Sequence, residues 1–470
     1  QLVWGVGNVG IDSKMENIEE GKYNLLASSM LVNAGHPDSL DTDGTIADIG
    51  AFPYLNTFSG PSWYVNTDGS DIDGTGASNS KFFSIQSAIN FANSGDQIFV
   101  EDGLYYENIN LRGRLIALLG ESRENTIIDG AQKATVVTFE TGENEQTLMR
   151  NFTLRNGAGY HGGGGGIVCN GTKPILDSLI ITNNTTNGQG GGFSFSHTHD
   201  DGGPKLTNSI ITNNTASHTA GGGTINPYGY AEIENVKFLN NNLSGLHVHY
   251  SSAIITNCQF SGNNYGLSSG GLFTWDGQYD SLIVNHSTIA GNVTGGLGMA
   301  FGGSAYIFNS IIADNNNQNV SFHNNDVPNE VRFGHSLIEG GESTVITNDN
   351  GTVDYSIGEN YFDENAGFKN VDEGDYTLTD TSPAIGRANN LISYNNRDYI
   401  SPDHDINGLS RPNPSGTIAD LGAYESSRGI DPNYSGPVWY VDGPANLPYG
   451  NGGPGAPYST IMEGISVAED

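Results

Sequence analysis

The sequence predicts an all-β fold: a right-handed parallel β-helix (a solenoid) with a short N-terminal capping helix and β-rich module junctions. Three observations predict it. A short strand phrase recurs every 22 to 30 residues, a second short strand follows it in each unit, and a far longer self-similarity spans the chain.

The short phrase is apolar–x–Asn–small–x–Ile followed by Asn-rich turns. It reads LMRNFTLRN from 148, LDSLIITNN from 176, LTNSIITNN from 206 and IENVKFLNN from 233. It continues as ITNCQFSGNN, VNHSTIAGN, IFNSIIADNN and FGHSLIEGG. Its anchors are Asn151, Ser178, Asn208, Asn235, Asn257, His286, Asn309 and His335. The second strand follows a glycine run in most units, as in GGIVCN, GGFSFSH, GLHVH and GLGMAF. Apolar runs of four or five residues with in–out alternation are too short for helices. One unit cannot bury its own apolar face, but stacked units give every strand a partner ~4.8 Å above and below. Parallel strands joined by crossovers take the right-handed sense. The Asn pairs after each strand (183–184, 213–214, 240–241, 263–264 and 315–316) suit left-handed turns and amide stacks from coil to coil. The sequons at Asn184 and Asn292 are then by-products of that stack.

The long self-similarity divides the chain. PSWYVNTDGS… from 61 returns as PVWYVDGPAN… from 437, with Trp63 and Trp439 376 residues apart. GTIADIGAF from 44 returns as GTIADLGAY from 416, and GKYNLLASS from 21 as GDYTLTDTS from 374. Residues 1–60 thus read as the end of a preceding module, and 61–95 as a junction strand and capping helix. Coils follow over 96–345, terminal coils and a closing segment over 346–430, and the start of a next module over 431–470. On this reading the chain is a stretch of a longer tandem array. The helix is expected to put Phe82, Ile85, Ala88, Ile89 and Ala92 on one face, capped by Asn79 or Ser80, and so to cover the open end of the core.

Composition narrows the function. The net charge of -34, from 52 acidic and 18 basic residues, repels nucleic acid and anionic membranes. No apolar stretch is long enough to span a bilayer. Two cysteines, Cys169 and Cys258, sit at different positions of the repeat and form no disulfide framework; both read as small buried residues.

The opening YVNTDGSDIDGTG…FFSIQSAINFANSGDQIFVEDGLYYENI resembles the first cap and coil of secreted β-helix proteins of the pectate-lyase-like superfamily. TSPAIGRAN and DINGLSRPNPSGTIADLGAYE resemble the choice-of-anchor Q segment that ends β-helix regions in large bacterial surface and secreted proteins. The resemblance implies a fold and an extracellular or cell-surface location. It leaves activity open, since lyases, hydrolases, esterases and non-enzymatic adhesins share the scaffold. The polygalacturonase-like set of paired aspartates, Gly-His-Gly and Arg-Ile-Lys is missing from the sequence. GLYYE at 103–107 resembles a pectinesterase motif that inactive relatives also carry.

Within the coils the best constellation is His197, His199, Asp200, Asp201 and Lys205, near Glu234, Lys237, His247 and His249, with Trp275, Asp276 and His323 extending the face. In LHVH, Leu246 and Val248 point inward and the two histidines outward. Such a stripe would bind sugar by stacking and hydrogen bonding, or a metal, or be plain surface. If the chain is an enzyme, Asp200, Asp201, Lys205 and Lys237 would carry the acid–base work. Ca²⁺ is the one cofactor suggested. Its candidate oxygens are Asp41, Asp43 and Asp48, then Asn66, Asp68, Asp71 and Asp73, then Asp403, Asp405, Asn407 and Asp420. The same residues equally form Asx turns.

The leading expectation is a non-enzymatic structural or adhesive module of a large extracellular tandem-repeat protein, with neighbouring copies, and in some readings a polysaccharide, as partners. The alternative is a polysaccharide lyase or glycoside hydrolase acting on an acidic polysaccharide.

Overall fold

The computed structural model describes residues 12–160, 163–197, 202–270, 282–316, 318–323, 327–362, 365–394, 397–436, 438–443 and 450–467. It is a right-handed parallel β-helix with three long strand ladders and a short one of three strands, Ala158–Gly159, Thr185–Gln189 and Thr215–His218. The first ladder runs from Ser62–Val65 through Gln97–Val100 and Ala117–Gly120 to Gly351–Ile357. The second runs from Gly103–Tyr105 and Thr126–Asp129 to Tyr361–Phe362. The third is a ten-stranded sheet from Ile109–Asn110 to Val345–Ile346. Among the described residues every strand–strand pairing inside the coils is parallel, one isolated bridge (Ala220 with Leu243) aside, whereas the antiparallel strand pairs, such as Leu391–Tyr394 with Arg397–Ile400, lie outside them.

Register explains the core. Leu118, Met149, Leu176, Leu206, Ile233, Ile255, Val284, Ile307 and Phe333 oppose one another in sequence along the first ladder, and all are buried. Each stacked side chain removes its neighbour's apolar surface from water, at ~25 cal/mol per Å². Both cysteines lie in this interior, and burial raises their thiol pKa values.

The bend between the first and second ladders explains the repeated phrase. All eight anchors, from Asn151 to His335, have φ between 46 and 64°. Left-handed backbone favours Asn among residues with a side chain, which is why the phrase is so visible. The Asn-rich turn splits into two roles. Asn183, Asn213, Asn240 and Asn316 adopt positive φ. Their neighbours, together with Asn263 and Asn292 beside the positive-φ Gly262 and Gly291, form an internal amide ladder, Asn184–Asn214–Asn241–Asn263–Asn292–Asn315, with Nδ2 of each donating to Oδ1 of the next at 2.9–3.2 Å. Asn184 and Asn292 are therefore buried and engaged, in keeping with their reading as ladder residues.

Helix α1 (Ile85–Phe91) departs from expectation in two ways. Neither Asn79 nor Ser80 caps it. The N-cap position is Ser84, and the first amides, Ile85 and Gln86, donate instead to the Glu107 carboxylate from the first coil, at 2.7 and 3.0 Å. The helix is also buried all round rather than on one face. The five predicted apolar residues are buried as expected, and residues 25–33 cover more of the surface. Asn90 Nδ2 donates to the carbonyls of Ala27 and Ser29, and Arg112 donates to the Val32 carbonyl.

The closing segment folds back along the later coils. Leu378, Ala384, Ile385 and Leu421 pack on Ile311, Ala313 and Leu337, and Ile392, Tyr394 and Tyr399 cover Ile283, Tyr306 and Phe308. Arg411 pins it. This fully buried guanidinium donates to Asn257 Oδ1 at 3.2 Å, the Gly422 carbonyl at 3.1 Å and His286 Nδ1, and lies 3.4 Å from Glu425. His286 hydrogen-bonds Ser401 Oγ through Nε2, and burial beside Arg411 keeps its imidazole neutral.

The two closing copies share several bonds. Asp48 accepts from the amides of Asn33 and Tyr54, each at 2.7 Å. Asp420 accepts from Gly386 at 2.8 Å and Ser426 at 2.7 Å, the matching positions. Likewise Gly35 N to Ala47 O is repeated by Ala388 N to Ala419 O.

Candidate functional site

The ten-stranded sheet carries the arrangement best suited to a ligand. Its strands Ala220–Ile225, Ser244–His249, Tyr265–Gly270, Gly295–Ala300 and Val320–Phe322 put Thr224, His247, Ser268, Gly298 and Ser321 in one register row. Alternation turns this row outward, because the flanking Leu246 and Val248 are buried inside, as the LHVH pattern predicted. Glycine at 295 leaves room for the Tyr265 ring, which lies against Gly295 and Gly298 and reaches to 6.4 Å from His323. His247 stacks on His249 with centroids 5.6 Å apart, and His249 meets Tyr250 at 4.4 Å. Tyr228, one coil away, is 6.1 Å from His197 of the coil before it.

His247 Nδ1 hydrogen-bonds Ser268 Oγ at 2.8 Å, and Ser268 Oγ also meets Ser244 Oγ at 2.8 Å. Burial, with His249 beside it, pushes the His247 pKa down to about 3, and burial lowers that of His249 as well. A neutral imidazole offers one donor and one acceptor, which matches a hydroxyl. The buried Thr224 Oγ1 and Ser321 Oγ have no hydrogen-bond partner among the described residues. The row thus presents rings, hydroxyls and a neutral imidazole on successive coils.

The rest of the predicted constellation is dispersed. His199, Asp200, Asp201, Trp275 and Asp276 lie outside the described residues. Lys205 and Glu234 belong to the first ladder, where Lys205 pairs with Glu232 at 2.7 Å. Lys237 belongs to the second ladder and is covered by the closing segment, with Nζ 3.1 Å from Asn407 Oδ1 and over the Tyr424 ring. Lys205, Lys237 and His247 therefore occupy three different faces and share no site. The expectation of a single face fails because adjacent sequence phrases turn a corner at every anchor. Conversely, Tyr265 and Ser268 were not singled out from sequence. Their signal is register with His247 on the neighbouring coil.

The expected Ca²⁺ ligands mostly meet backbone amides. Asp48 and Asp420 spend both oxygens as described, Asp41 accepts from Asp48 N, and Asp43 from Thr45 and Asn56. Asp405 accepts from Asn407, Leu409 and Glu425. Asp71 faces Ser84 and Ser87 at the start of α1, while Asn66, Asp68 and Asp73 line a small surface cleft with Lys81. Asp403 lines another with Glu234 and His404. Among the described residues, no three His, Cys, Asp or Glu side chains converge to hold a metal ion. Nor is any helix among them long and apolar enough to cross a membrane.

The family model described as the right-handed beta helix region matches residues 197–366. No curated protein matches the chain in sequence. Among solved structures, the chain is similar to a pectin methylesterase from carrot at 15% identity and a TM-score of 0.40, over 64% of this chain and 90% of that one. It is similar to pectate lyase Pel9A at 16% identity and a TM-score of 0.41, over 77% and 96%. A complex of XylC with xylose gives 10% identity and a TM-score of 0.47, over 77% and 98%. At these identities the likeness is one of fold. Family model and ladders together identify the chain as a right-handed parallel β-helix.

Proposed function

We propose that this chain is an extracellular β-helix module that holds polysaccharide along the outward side of its ten-stranded sheet, as a structural and adhesive part of a larger surface protein. The observation that carries this reading is the pair His247 and Ser268 on adjacent coils with the Tyr265 ring beside them, flanked by His249 and His323. A sugar ring has an apolar C–H face and a rim of hydroxyls. Tyr265 supplies a flat partner for the first, and His247 and Ser268 suit the second. The net charge of -34 favours a neutral glycan over a polyuronate.

The test is affinity electrophoresis and calorimetry against neutral and acidic polysaccharides. Binding is expected for a neutral polymer, weakened about 10-fold or more by Tyr265→Ala and by His247→Ala, since a stacking platform and a buried hydrogen-bonding group each contribute more than ~1.4 kcal/mol. No binding across the panel, or unchanged binding by both variants, would sink the reading.

The second reading is a polysaccharide lyase or glycoside hydrolase acting on an acidic polysaccharide, the class that the solved structures' titles lean towards. Unsaturated products or new reducing ends from a polyuronate, released by the purified chain, would put it in place of the non-enzymatic one.

A further inference from the structure

The cap of the β-helix is built twice. Around Trp63, the Tyr64 amide bonds the Gly76 carbonyl, the Phe82 amide bonds the Tyr64 carbonyl, and Phe58 meets the indole edge-on at 5.1 Å. Around Trp439 the same contacts recur 376 residues on: Tyr440 to Gly452, Tyr458 to Tyr440, and Tyr434 edge-on to the indole at 5.6 Å. Helix α2 (Ile461–Val467) matches α1 position for position.

What differs is cover. In the first copy, Ser62–Val65 pairs in parallel with Gln97–Val100, and the coil that follows contributes Glu107 and Asn110 to α1. Ile85 and Ile89 are 0% exposed. Their counterparts Ile461 and Ile465 are 70% and 59% exposed, and Met462 is 71% exposed. Val438, Tyr440 and Val441 are exposed beside them, and in α2 only Gly464 is buried. Contiguous apolar surface of this kind marks a contact site, and residues 438–441 beside it form no strand pair among the described residues, leaving backbone for a neighbour to pair with.

We infer that the surface formed by residues 438–443 and α2 is the seat of a further β-helix, whose first coil resembles Gln97–Leu111 and runs parallel to Val438–Val441. The first copy shows the fit, because the same cap carries that coil there. The occupant brings an apolar strand equivalent to Ile98 and Val100, and a turn equivalent to residues 107–110 over the helix. This inference is independent of glycan binding.

The experiment compares Ile465→Cys in the 470-residue chain with the same variant carrying residues 95–362 fused after Asp470. Both native cysteines are buried, so the reagent reads position 465. Thiol labelling is expected to be fast in the unfused chain and to slow about 100-fold in the fusion, as for a group reached only through local opening. Fast labelling in a fusion that is folded by circular dichroism would overturn the inference. So would protection of the unfused chain with dimers in sedimentation, which would make a second copy the occupant.

Discussion

Replacing Asn241 by alanine removes four hydrogen bonds from the inside of one coil. Its Nδ2 donates to the Ile211 carbonyl at 2.9 Å and to Asn263 Oδ1 at 3.2 Å. Its Oδ1 accepts from the Asn214 amide at 3.0 Å and from Asn214 Nδ2 at 3.1 Å. Neutral buried hydrogen bonds contribute ~1 kcal/mol each, and an orphaned buried donor costs ~1–3 kcal/mol. The Asn214 amide loses its acceptor outright, while Asn214 Nδ2 keeps the Ile181 carbonyl. The expected loss is therefore about 3–4 kcal/mol. The neighbouring Asn240 tests the assignment of roles. It sits at φ 54°, so Asn240→Gly keeps the turn and should change stability by no more than ~0.5 kcal/mol. Guanidinium unfolding followed by circular dichroism gives both values, and hydrogen exchange at Asn214 localises the effect. A loss below ~1 kcal/mol for Asn241→Ala, or one matched by Asn240→Gly, would refute the division between ladder and turn residues.

Two further outcomes follow from the buried ionisable groups. His247 titrates at about 3 in the folded chain against ~6.5 when unfolded, so the unfolded state takes up the proton first. Stability from this group is complete above pH 6.5 and is lost as pH falls towards 3, by about 2 kcal/mol at pH 5; His247→Gln should flatten that part of the stability–pH curve relative to wild type. Arg411→Ala leaves Glu425 buried without its cation and removes the bonds to Asn257 and His286. Breaking a buried pair costs ~3–5 kcal/mol, here confined to the closing segment, so limited proteolysis should cut within 390–410 while the coil signal in circular dichroism persists.

The coils were legible in the sequence because a left-handed bend accepts few residue types. Each coil therefore repeats Asn, Ser or His at the anchor, with the buried amide a few residues on. The division between Asn183-type and Asn184-type residues was not, since both are Asn and only their backbone geometry separates them. The cap of α1 was also missed. Its acceptor, Glu107, comes from a turn of the coil that follows, and no local rule joins it to Ile85. The docking of the closing segment is non-local in the same way: Arg411 and His286 are far apart in sequence and share no period. Of the candidate site, the outward histidines could be read from strict alternation in LHVH. The separation of Lys205 and Lys237 from them could not, because the phrase does not announce which face follows each corner.

The anchors recur at 22 to 30 residues, yet each coil advances the stack by one strand spacing of ~4.8 Å. Height is thus fixed by the number of anchors, and any surplus residues extend the girth. The β-helix behaves as a screw of constant pitch and variable outline, in which a lengthened coil leaves every coil above it at the same level. Residues inserted at the rim of the ten-stranded sheet, after strands such as Phe193–Ser196 or Val320–Phe322, would widen the wall beside the ring row without tilting the axis. Variation among such molecules can therefore reshape what they grip while leaving their reach unchanged.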